Sequence, residues 1–400
     1  MKHTILNGDV RTSLRTLPDE SVQCVVTSPP YWSLRDYGVE GQIGLEPTPE
    51  DHVAALVEVF REVWRVLRHD GTLWLNYGDC YAATGKSGGG KRGEQWAQYG
   101  ADHVGPRGGK WRPAPAGLKP KDLVGMPWRV AFALQADGWT LRSDIIWHKP
   151  NPMPESVRDR PTKSHEYLFL LTKGPRYFYD ADAIREETGN EMTQEEYQQK
   201  TAPGATWGTG GIGRHAGAHK HDGGKAHPLG RNRRTVWEIL TRPFPGAHFA
   251  TFPEALVTPC ILAGTSDRGA CPVCGSPWTR VVEARRVRRD ELDPSDPRYR
   301  PNRYAGAYEG INGRGDVGYR EATTTGWRPT CACDDGDPAP CTVLDPFGGS
   351  GTVAKVARDL GRSSVSIELN PEYVEIAKRR LRIGEMLETG TCEYEVRVIA

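Results

Sequence analysis

The segment at 27–32, Thr-Ser-Pro-Pro-Tyr-Trp, has residue types suited to holding a planar, amine-bearing ligand. Pro29 and Pro30 restrict the local backbone and lack N–H donors, so the segment presents the Ser28 hydroxyl and neighbouring carbonyls as acceptors. Tyr31 adds a flat aromatic face. A nucleobase turned out of a duplex is one group that suits such an edge. A proline-rich turn with an aromatic plug is the alternative interpretation.

A second segment has the pattern of a strand, a glycine-rich turn and a helix start: Asp-Pro-Phe-Gly-Gly-Ser-Gly-Thr at 345–352. Glycines let the backbone approach a ligand closely and direct N–H groups toward it at a helix N-terminus. About twenty residues later, the apolar run 364–367 ends in Glu368. An acid in this position can hold ribose hydroxyls. The pattern predicts a nucleoside-containing ligand.

Four cysteines have spacing suited to a metal: Cys271 and Cys274 in a CxxC followed by glycine, and Cys331 and Cys333 in a CxC. Two close pairs of thiolates can complete a tetrahedral Zn²⁺ site. The sequence between them is polar and rich in arginine, so a structural zinc would compensate for a missing core. We expect this insert to lie outside the main strands. A disulfide pair is the alternative, and the remaining cysteines have the pattern of core or incidental residues.

The elements that position these groups follow from hydrophobic periodicity. Apolar runs predict strands at 3–6, 22–26, 72–76, 139–147, 166–172, 342–344 and 364–367. Amphipathic spacing predicts helices at 48–67, 121–136, 253–262 and from 370 onward, and the first of these is expected to end at 68–71. Strands that alternate with helices in this way predict an α/β doubly wound sheet.

These segments together resemble the amino-group DNA methyltransferases that use S-adenosylmethionine, in the permuted order with the catalytic motif first. The matching pieces are 7–9, 27–32, 149–173, 244–262, 345–352 and 367–370. Most of 181–235 and 265–340 lies outside the resemblance. Related prolyl-aromatic motifs also hold protein amides, so methylation of a protein or a small molecule is an alternative activity.

The resemblance implies a Rossmann-like methyltransferase sheet that is cyclically permuted and carries a basic loop-rich insert and a small zinc-binding insert. In the unpermuted family order, the strand before the glycine-rich turn (342–344) and the strand that ends at Glu368 (364–367) would come first. The strand before Asp9 (3–6) and the strand before Ser28 (22–26) would follow them. The implied divisions are a catalytic half at 1–180, a target-recognition region at 181–240, a cofactor-side helix segment at 241–264, a zinc-binding insert at 265–341 and a cofactor-binding half at 342–400. Residues 84–118 are expected to form either a mobile loop near DNA or a solvated insert.

The resemblance also implies the site residues. Ser28, Pro29, Pro30 and Tyr31 would be catalytic. S-adenosylmethionine would be bound by Asp9, Phe249, Phe252, Asp345, Phe347, Gly348, Gly349, Gly351, Thr352 and Glu368. Asp9 is equally suited to cap a helix. An exocyclic amine is a poor nucleophile, and hydrogen bonds to Ser28 and the Pro29 carbonyl would direct its lone pair at the methyl group. The spare proton would then be lost to water.

In the resembled family, Ser before Pro-Pro usually accompanies cytosine, and Asp or Asn usually accompanies adenine. Ser28 therefore favours N4-methylcytosine as the product, with N6-methyladenine as the alternative. A catalytically inactive, zinc-containing DNA-binding protein is an alternative of another class.

The formal net charge is +1, so any basic DNA-binding surface must be local. The 46 glycines and 31 prolines predict long loops. Since the sequence has neither a signal peptide nor a long apolar span, we expect a cytoplasmic protein encoded by a bacterium or phage. The expected partner is double-stranded DNA, with no membrane. A cognate restriction enzyme would fit the family, and the sequence does not indicate an oligomeric state.

Overall fold

A computed structural model describes residues 1–82, 117–186, 231–241, 252–288, 293–295, 318–333, 336–383 and 392–399. Several predictions lie outside these residues. They concern almost all of the loop at 84–118, most of the target-recognition region at 181–240, and Phe249.

The described residues form strands and helices in alternation over most of the chain. The strands are β1 (Lys2–Asn7), β2 (Val22–Thr27), β3 (Leu67–Tyr77), β4 (Thr140–His148), β5 (His165–Thr172), β6 (Val236–Glu238), β7 (Trp278–Arg288), β8 (Gly318–Pro329), β9 (Thr342–Asp345), β10 (Ser363–Glu368) and β11 (Glu393–Val398). The helices are α1 (Val10–Arg15), α2 (Pro49–Val66), α3 (Met126–Ala136), α4 (Glu254–Gly264), α5 (Thr352–Asp359) and α6 (Pro371–Arg380), with a 3₁₀ turn at Ala181–Ile184.

Nine of these strands form one mixed sheet in the order β11-β1-β10-β9-β2-β3-β5-β4-β6. All neighbours are parallel except that β5 runs antiparallel to β3 and to β4. The late strands β9 and β10 are therefore inserted between the early strands β1 and β2. The Ser28 strand β2 lies beside the glycine-loop strand β9, on the side away from the Glu368 strand β10.

Alternate residues of the central strands face opposite layers of helices, as the period of two requires. Leu6, Val25 and Leu344 belong to a core cluster that also contains buried residues of α1, α2 and α3. Ile5, one position before Leu6, packs instead with residues of α5 and α6. The sheet is therefore covered on both faces, as the α/β pattern predicts.

The chain divides into two compact units. The first comprises 1–183, 234–279 and 329–400 and contains the nine-stranded sheet. The second comprises 184–233 and 280–328. In the second unit, the described residues include the paired main chains of Glu186 and Arg231 and the cation–π contact of Arg280 with Trp327. Strands β7 and β8 pair as a separate two-stranded ribbon.

Two local predictions need correction, and one strand was not predicted. The turn expected at 68–71 is wrong, because β3 begins at Leu67 directly after α2. Gly71 is needed there for close packing, since a Cβ would lie 2.4 Å from Leu67 Cδ1. The helix expected from 121 begins at Met126, after Gly125 in a left-handed conformation. The C-terminal strand β11 has no counterpart among the sequence predictions.

Among the described residues, no helix combines the length and apolar character required to cross a membrane.

Candidate active site

The predicted site residues described in the structure converge on one side of the nine-stranded sheet, the edge formed by the carboxyl ends of its parallel strands. The parallel strands β1, β2, β9 and β10 all end at this edge, where Asp9, Ser28, Asp345 and Glu368 are found. Because β5 is antiparallel, its beginning lies at the same edge and adds Glu166. The edge includes the point where the strand order reverses, which is where open α/β sheets bind ligands.

The segment after β2 is held rigidly at this edge. Pro29 is buried, whereas Ser28 and Tyr31 are half-buried. Ser28 Oγ lies 3.2 Å from the Tyr31 hydroxyl. The Tyr31 ring packs against Tyr77 with centroids 4.7 Å apart. A Cβ on Gly78 would lie 2.7 Å from the ring, so this glycine permits the close approach of Tyr31 to the end of β3.

Glu166, near the start of β5, connects the Tyr31 hydroxyl to Asn76 on β3 and to Lys149 just after β4. Its Oε2 accepts from the Tyr31 hydroxyl at 2.8 Å and from Asn76 Nδ2 at 3.2 Å. Its Oε1 forms an ion pair with Lys149 Nζ. Burial and the neighbouring Glu166 raise the pKa of Tyr31 well above its ordinary value. Tyr31 is therefore a neutral phenol at working pH.

A buried array supports the following residue, Trp32, from behind. The Trp32 main-chain N–H donates to the Tyr77 hydroxyl at 3.2 Å, and its indole N–H donates to the Glu46 carbonyl at 3.0 Å. His52, with no exposed surface, contacts the Tyr77 hydroxyl and the Glu46 carboxylate, each at 2.7 Å. These contacts fix the backbone that carries Ser28 and Tyr31.

Asp345, at the end of β9, lies directly beside the segment at 27–32. Its carboxylate accepts from Thr27 Oγ1 at 2.7 Å and from the Phe347 N–H at 3.1 Å. Its side chain is fully enclosed, and burial raises the pKa of Asp345 to about 7. A single hydrogen bond thus joins the residue before Ser28 to the start of the glycine-rich segment.

Glu368 holds the glycine-rich turn from the next strand. One carboxylate oxygen accepts from the Gly349 N–H and the other accepts from the Asn370 N–H, each at 2.8 Å. Burial raises the pKa of Glu368. Gly351 caps α5 with a φ of 77°, and a Cβ there would lie 2.9 Å from the Cβ of Ala377. The turn therefore requires glycine at 351.

The other predicted cofactor residues surround this turn. Asp9 caps α1, since its carboxylate accepts from the N–H groups of Arg11 and Thr12. The helix-cap interpretation of Asp9 is thus confirmed, and its predicted cofactor contact stays a prediction. Gly348 is buried within the turn, and Thr352, the first residue of α5, is also buried. Phe347 and Phe252 are half-buried. Phe249 lies outside the described residues.

The four predicted metal-binding cysteines form a second cluster, away from Ser28 in sequence. The sulfur atoms of Cys271, Cys274, Cys331 and Cys333 all lie within 4.8 Å of one another. The first pair is on a tight turn in which the Gly275 N–H donates to the Cys271 carbonyl at 2.8 Å. All four are free thiols, so the alternative of a disulfide pair is not the arrangement observed.

Sequence reasoning missed Glu166, Asn76 and Lys149 as site residues. Asn76 gave a signal, because it is a polar residue near the end of a buried strand. Glu166 gave none, since its position at the site depends on β5 being antiparallel.

Comparisons with known proteins agree with this geometry. The family model described as "DNA methylase", N6_N4_Mtase, matches residues 22–307 and 340–379. It therefore includes 181–235 and 265–307, most of which lay outside the sequence resemblance. Type II methyltransferase M.Cfr9I of Citrobacter freundii is 42% identical over 95% of this chain and 87% of that protein. Type II methyltransferase M.SmaI of Serratia marcescens is 38% identical over 94% of this chain and 90% of that protein.

Among solved structures, the chain is similar to "PvuII DNA methyltransferase (cytosine-N4-specific)", with a TM-score of 0.50 and 15% identity. The alignment covers 98% of this chain and 91% of that one. At this identity the similarity concerns the fold, which is a Rossmann-like methyltransferase sheet. The family model and the two relatives cover most of the chain, and on that basis this chain belongs to the N6/N4 family of DNA methylases.

Proposed function

We propose that this chain is a site-specific DNA methyltransferase that transfers a methyl group from S-adenosylmethionine to N4 of a cytosine in double-stranded DNA. The observation that carries the proposal is the contact between Thr27 and Asp345, at 2.7 Å. It holds the Ser28 acceptor edge beside the glycine-rich turn, so an amine donor and a methyl donor would meet there. The residue order, with the catalytic segment before the glycine-rich turn, supports a cyclically permuted methyltransferase.

The cofactor would be held by the turn 347–352, Glu368 and Asp9, with Phe252 and Phe249 as apolar walls. S-adenosylmethionine supplies an activated methyl group. The buried carboxylate of Asp345 favours a cation nearby, and Glu368 is anchored at the edge where ribose hydroxyls would lie. The Glu368 carboxylate also holds the Gly349 N–H, so its loss would loosen the turn as well as remove a ligand.

The target base would donate its amino hydrogens to Ser28 Oγ and the Pro29 carbonyl. These acceptors orient the nitrogen lone pair, and orientation supplies much of the rate in a displacement of this kind. Ser28 supports cytosine, because in the resembled family this residue usually accompanies N4-methylcytosine. Adenine N6 is the second candidate, since a hydroxyl accepts from either amine.

Recognition of the DNA sequence is proposed for 181–240, most of which lies outside the described residues. The relatives are named type II methyltransferases, which supports pairing with a cognate restriction enzyme. Methylation of DNA would distinguish this proposal from the alternative of a catalytically inactive DNA-binding protein.

We also propose a structural zinc ion held by Cys271, Cys274, Cys331 and Cys333. At a Zn–S distance of about 2.3 Å, tetrahedral geometry requires sulfur atoms roughly 3.8 Å apart. The observed sulfur–sulfur separations, none of which exceeds 4.8 Å, are close to that requirement. Four thiols with no nitrogen or oxygen ligand suit a closed structural site.

Nucleoside mass spectrometry of DNA from cells that express the protein tests the function. We expect N4-methylcytosine in the wild type and none in Ser28→Ala, with unchanged affinity for S-adenosylmethionine because Ser28 faces the base. Ser21→Ala is a matched control, since the Ser21 hydroxyl bonds only to the Pro18 carbonyl at the far end of β2 in the described structure. A rise in N6-methyladenine alone would overturn the cytosine assignment. Methylation of neither base would overturn the enzymatic proposal.

A further inference from the structure

Glu166 lies at the end of a continuous hydrogen-bond chain that begins at Ser28. Ser28 Oγ is 3.2 Å from the Tyr31 hydroxyl, which is 2.8 Å from Glu166 Oε2. In the proposed methyl transfer, Ser28 accepts hydrogen bonds from the base and Tyr31 supplies an aromatic face. That transfer gives Glu166 no role.

The donors around Glu166 fix the direction of this chain. An ionised carboxylate only accepts, and here it also receives Asn76 Nδ2 and Lys149 Nζ. The phenol of Tyr31 has one proton. Two acceptors lie within its reach, Glu166 Oε2 at 2.8 Å and Asn76 Oδ1 at 3.1 Å. The shorter bond to the charged group is the stronger one.

With its proton directed at Glu166, the Tyr31 oxygen accepts the proton of Ser28. Ser28 is thereby left with lone pairs for an incoming donor. An amino group can donate to these lone pairs and a keto group cannot. This hydrogen-bond chain therefore favours amine-bearing bases over thymine.

We propose that Glu166 is the proton acceptor of the methyl-transfer reaction, reached through a relay of Ser28 and Tyr31. This inference rests on the proposed function. As the N–CH₃ bond forms and the S–CH₃ bond breaks, an amine proton passes to Ser28 Oγ. The Ser28 proton passes to the Tyr31 oxygen, and the Tyr31 proton passes to Glu166 Oε2. The sulfonium becomes a neutral thioether and the carboxylate becomes a carboxylic acid, so charge balances.

The groups facing Glu166 suit this role. Lys149, directly after β4, pairs with the other carboxylate oxygen of Glu166 and lies 4.2 Å from the centroid of the Trp147 ring, which holds the cation in place. Lys163 and His165 also lie close enough to interact with its charge, and burial lowers the pKa of both. The raised pKa of Tyr31 keeps its proton in place between turnovers. In this proposal the amine proton passes to Glu166, in place of the direct loss to water that the sequence led us to expect.

Single-turnover methylation of unmethylated plasmid DNA, at saturating S-adenosylmethionine and across pH 5 to 9, tests the relay. We expect the wild-type rate to fall at low pH, because a carboxyl that already carries a proton cannot accept the relayed one. Glu166→Gln should be about 100-fold slower and should lose that pH dependence. Tyr31→Phe should also be slow, because it interrupts the relay and leaves Glu166 in place.

Lys149→Met separates proton transfer from scaffolding. Removing the cation takes away an ion pair that favours the charged carboxylate, so the low-pH decline of the rate should move to higher pH. A slow variant with an unmoved pH profile would identify Glu166 as a purely structural residue and overturn the proposal. Glu155→Gln is the matched control, because that carboxylate pairs with Arg160 and should leave rate and profile unchanged.

Normal rates in both Glu166→Gln and Tyr31→Phe would also overturn the relay. Calorimetry with S-adenosylmethionine confirms that each variant is folded. If Glu166→Gln does not fold, Tyr31→Phe decides the question, since it removes a single oxygen. A wild type that methylates no DNA would refute the proposed function itself, which is a different outcome from failure of the relay.

Discussion

Two consecutive side chains, Thr27 and Ser28, serve the two halves of the site. Thr27 Oγ1 donates to Asp345, next to the glycine-rich turn, and Ser28 presents its oxygen toward the proposed base. Pro29 restricts the backbone of Ser28, and Thr27 is held as the last residue of β2. The spacing between the proposed methyl donor and the proposed target amine would therefore be set by the covalent backbone, and a one-residue change in this segment would alter it.

The first prediction at the residue scale concerns Asp345. Burial raises the pKa of its carboxyl to about 7, so in the free enzyme the group binds a proton below that pH. S-adenosylmethionine is cationic and favours the carboxylate, which lowers the pKa in the complex. Binding then expels a proton below pH 7. We expect affinity to rise with pH up to about 7, by at most tenfold per unit, and to be constant above it.

Isothermal calorimetry at several pH values and in two buffers measures both the affinity and the released proton. Asp345→Asn keeps the acceptor for Thr27 and Phe347, yet should weaken the pH dependence. Glu368, whose pKa burial also raises, contributes in the same direction and accounts for any remainder. An affinity that is flat between pH 5.5 and 7.5 in the wild type would contradict the assignment.

At this scale the sequence predicted Ser28, Asp345 and Glu368, since each follows or ends an apolar run with a distinctive neighbour pattern. Their contacts could not be predicted. The bond of Thr27 to Asp345 joins residues 318 positions apart and depends on β2 lying beside β9. Glu166 likewise required knowledge of strand direction.

At the scale of elements, most strands and helices follow from periodicity, and the errors have physical causes. Arg68 and Asp70 are charged and precede a glycine, which is typical of a helix end. Arg68 is nevertheless buried, because its guanidinium pairs with Asp70 and donates to the Cys274 carbonyl. Strand β11 was missed since its residues alternate weakly and lie at an exposed sheet edge.

In the described residues, the segment that carries the cysteines adds no strand to the nine-stranded sheet, as expected, but it is hydrogen-bonded to two strands of that sheet. Arg68, on β3, donates to the Cys274 carbonyl and to Ser276 Oγ. Gln23, on β2, donates to the Gly275 carbonyl at 3.3 Å and accepts from the Thr342 N–H at 2.7 Å. Arg68 and Gln23 thus both hold the cysteine turn, and Gln23 also holds the start of β9.

A prediction about zinc follows from these contacts. We expect one zinc ion per chain, and Cys274→Ser should lose it. Because the turn is bonded to Arg68 and Gln23, loss of the metal should also lower the thermal unfolding temperature of the sheet, by about 5 °C or more. Elemental analysis and scanning calorimetry measure the two effects.

The matched control is Cys80→Ser, a half-buried cysteine outside the cluster. It should retain the zinc. Purified wild type without zinc above background would contradict the metal site. Metal loss that leaves the unfolding temperature unchanged would contradict the coupling to the sheet.

At the scale of the whole molecule, the two ends of the chain build one sheet. Strands β9 and β10, from the last sixty residues, separate β1 from β2. The sequence predicted that these strands belong together only through the resemblance to a permuted family. Periodicity alone leaves open two separate α/β domains, because it contains no information about which strands pair. The long-range register, such as Val25 opposite Leu344, requires the structure.

The last prediction tests whether this sheet unfolds as one unit. Leu344, in β9, has no exposed surface and lies opposite Val25, at the centre of the core that also supports β2. Leu344→Ala should cost about 2–5 kcal/mol of unfolding free energy. If the sheet is cooperative, the opening free energy measured by native-state hydrogen exchange should fall by the same amount in peptides covering β2 and β9. Val398→Ala, at a position that is 80% exposed, should change neither by more than about 0.5 kcal/mol. Faster exchange restricted to residues 342–359, with 22–27 unaffected, would show that the C-terminal strands open independently and that the site can lose its cofactor half while the Ser28 segment stays folded.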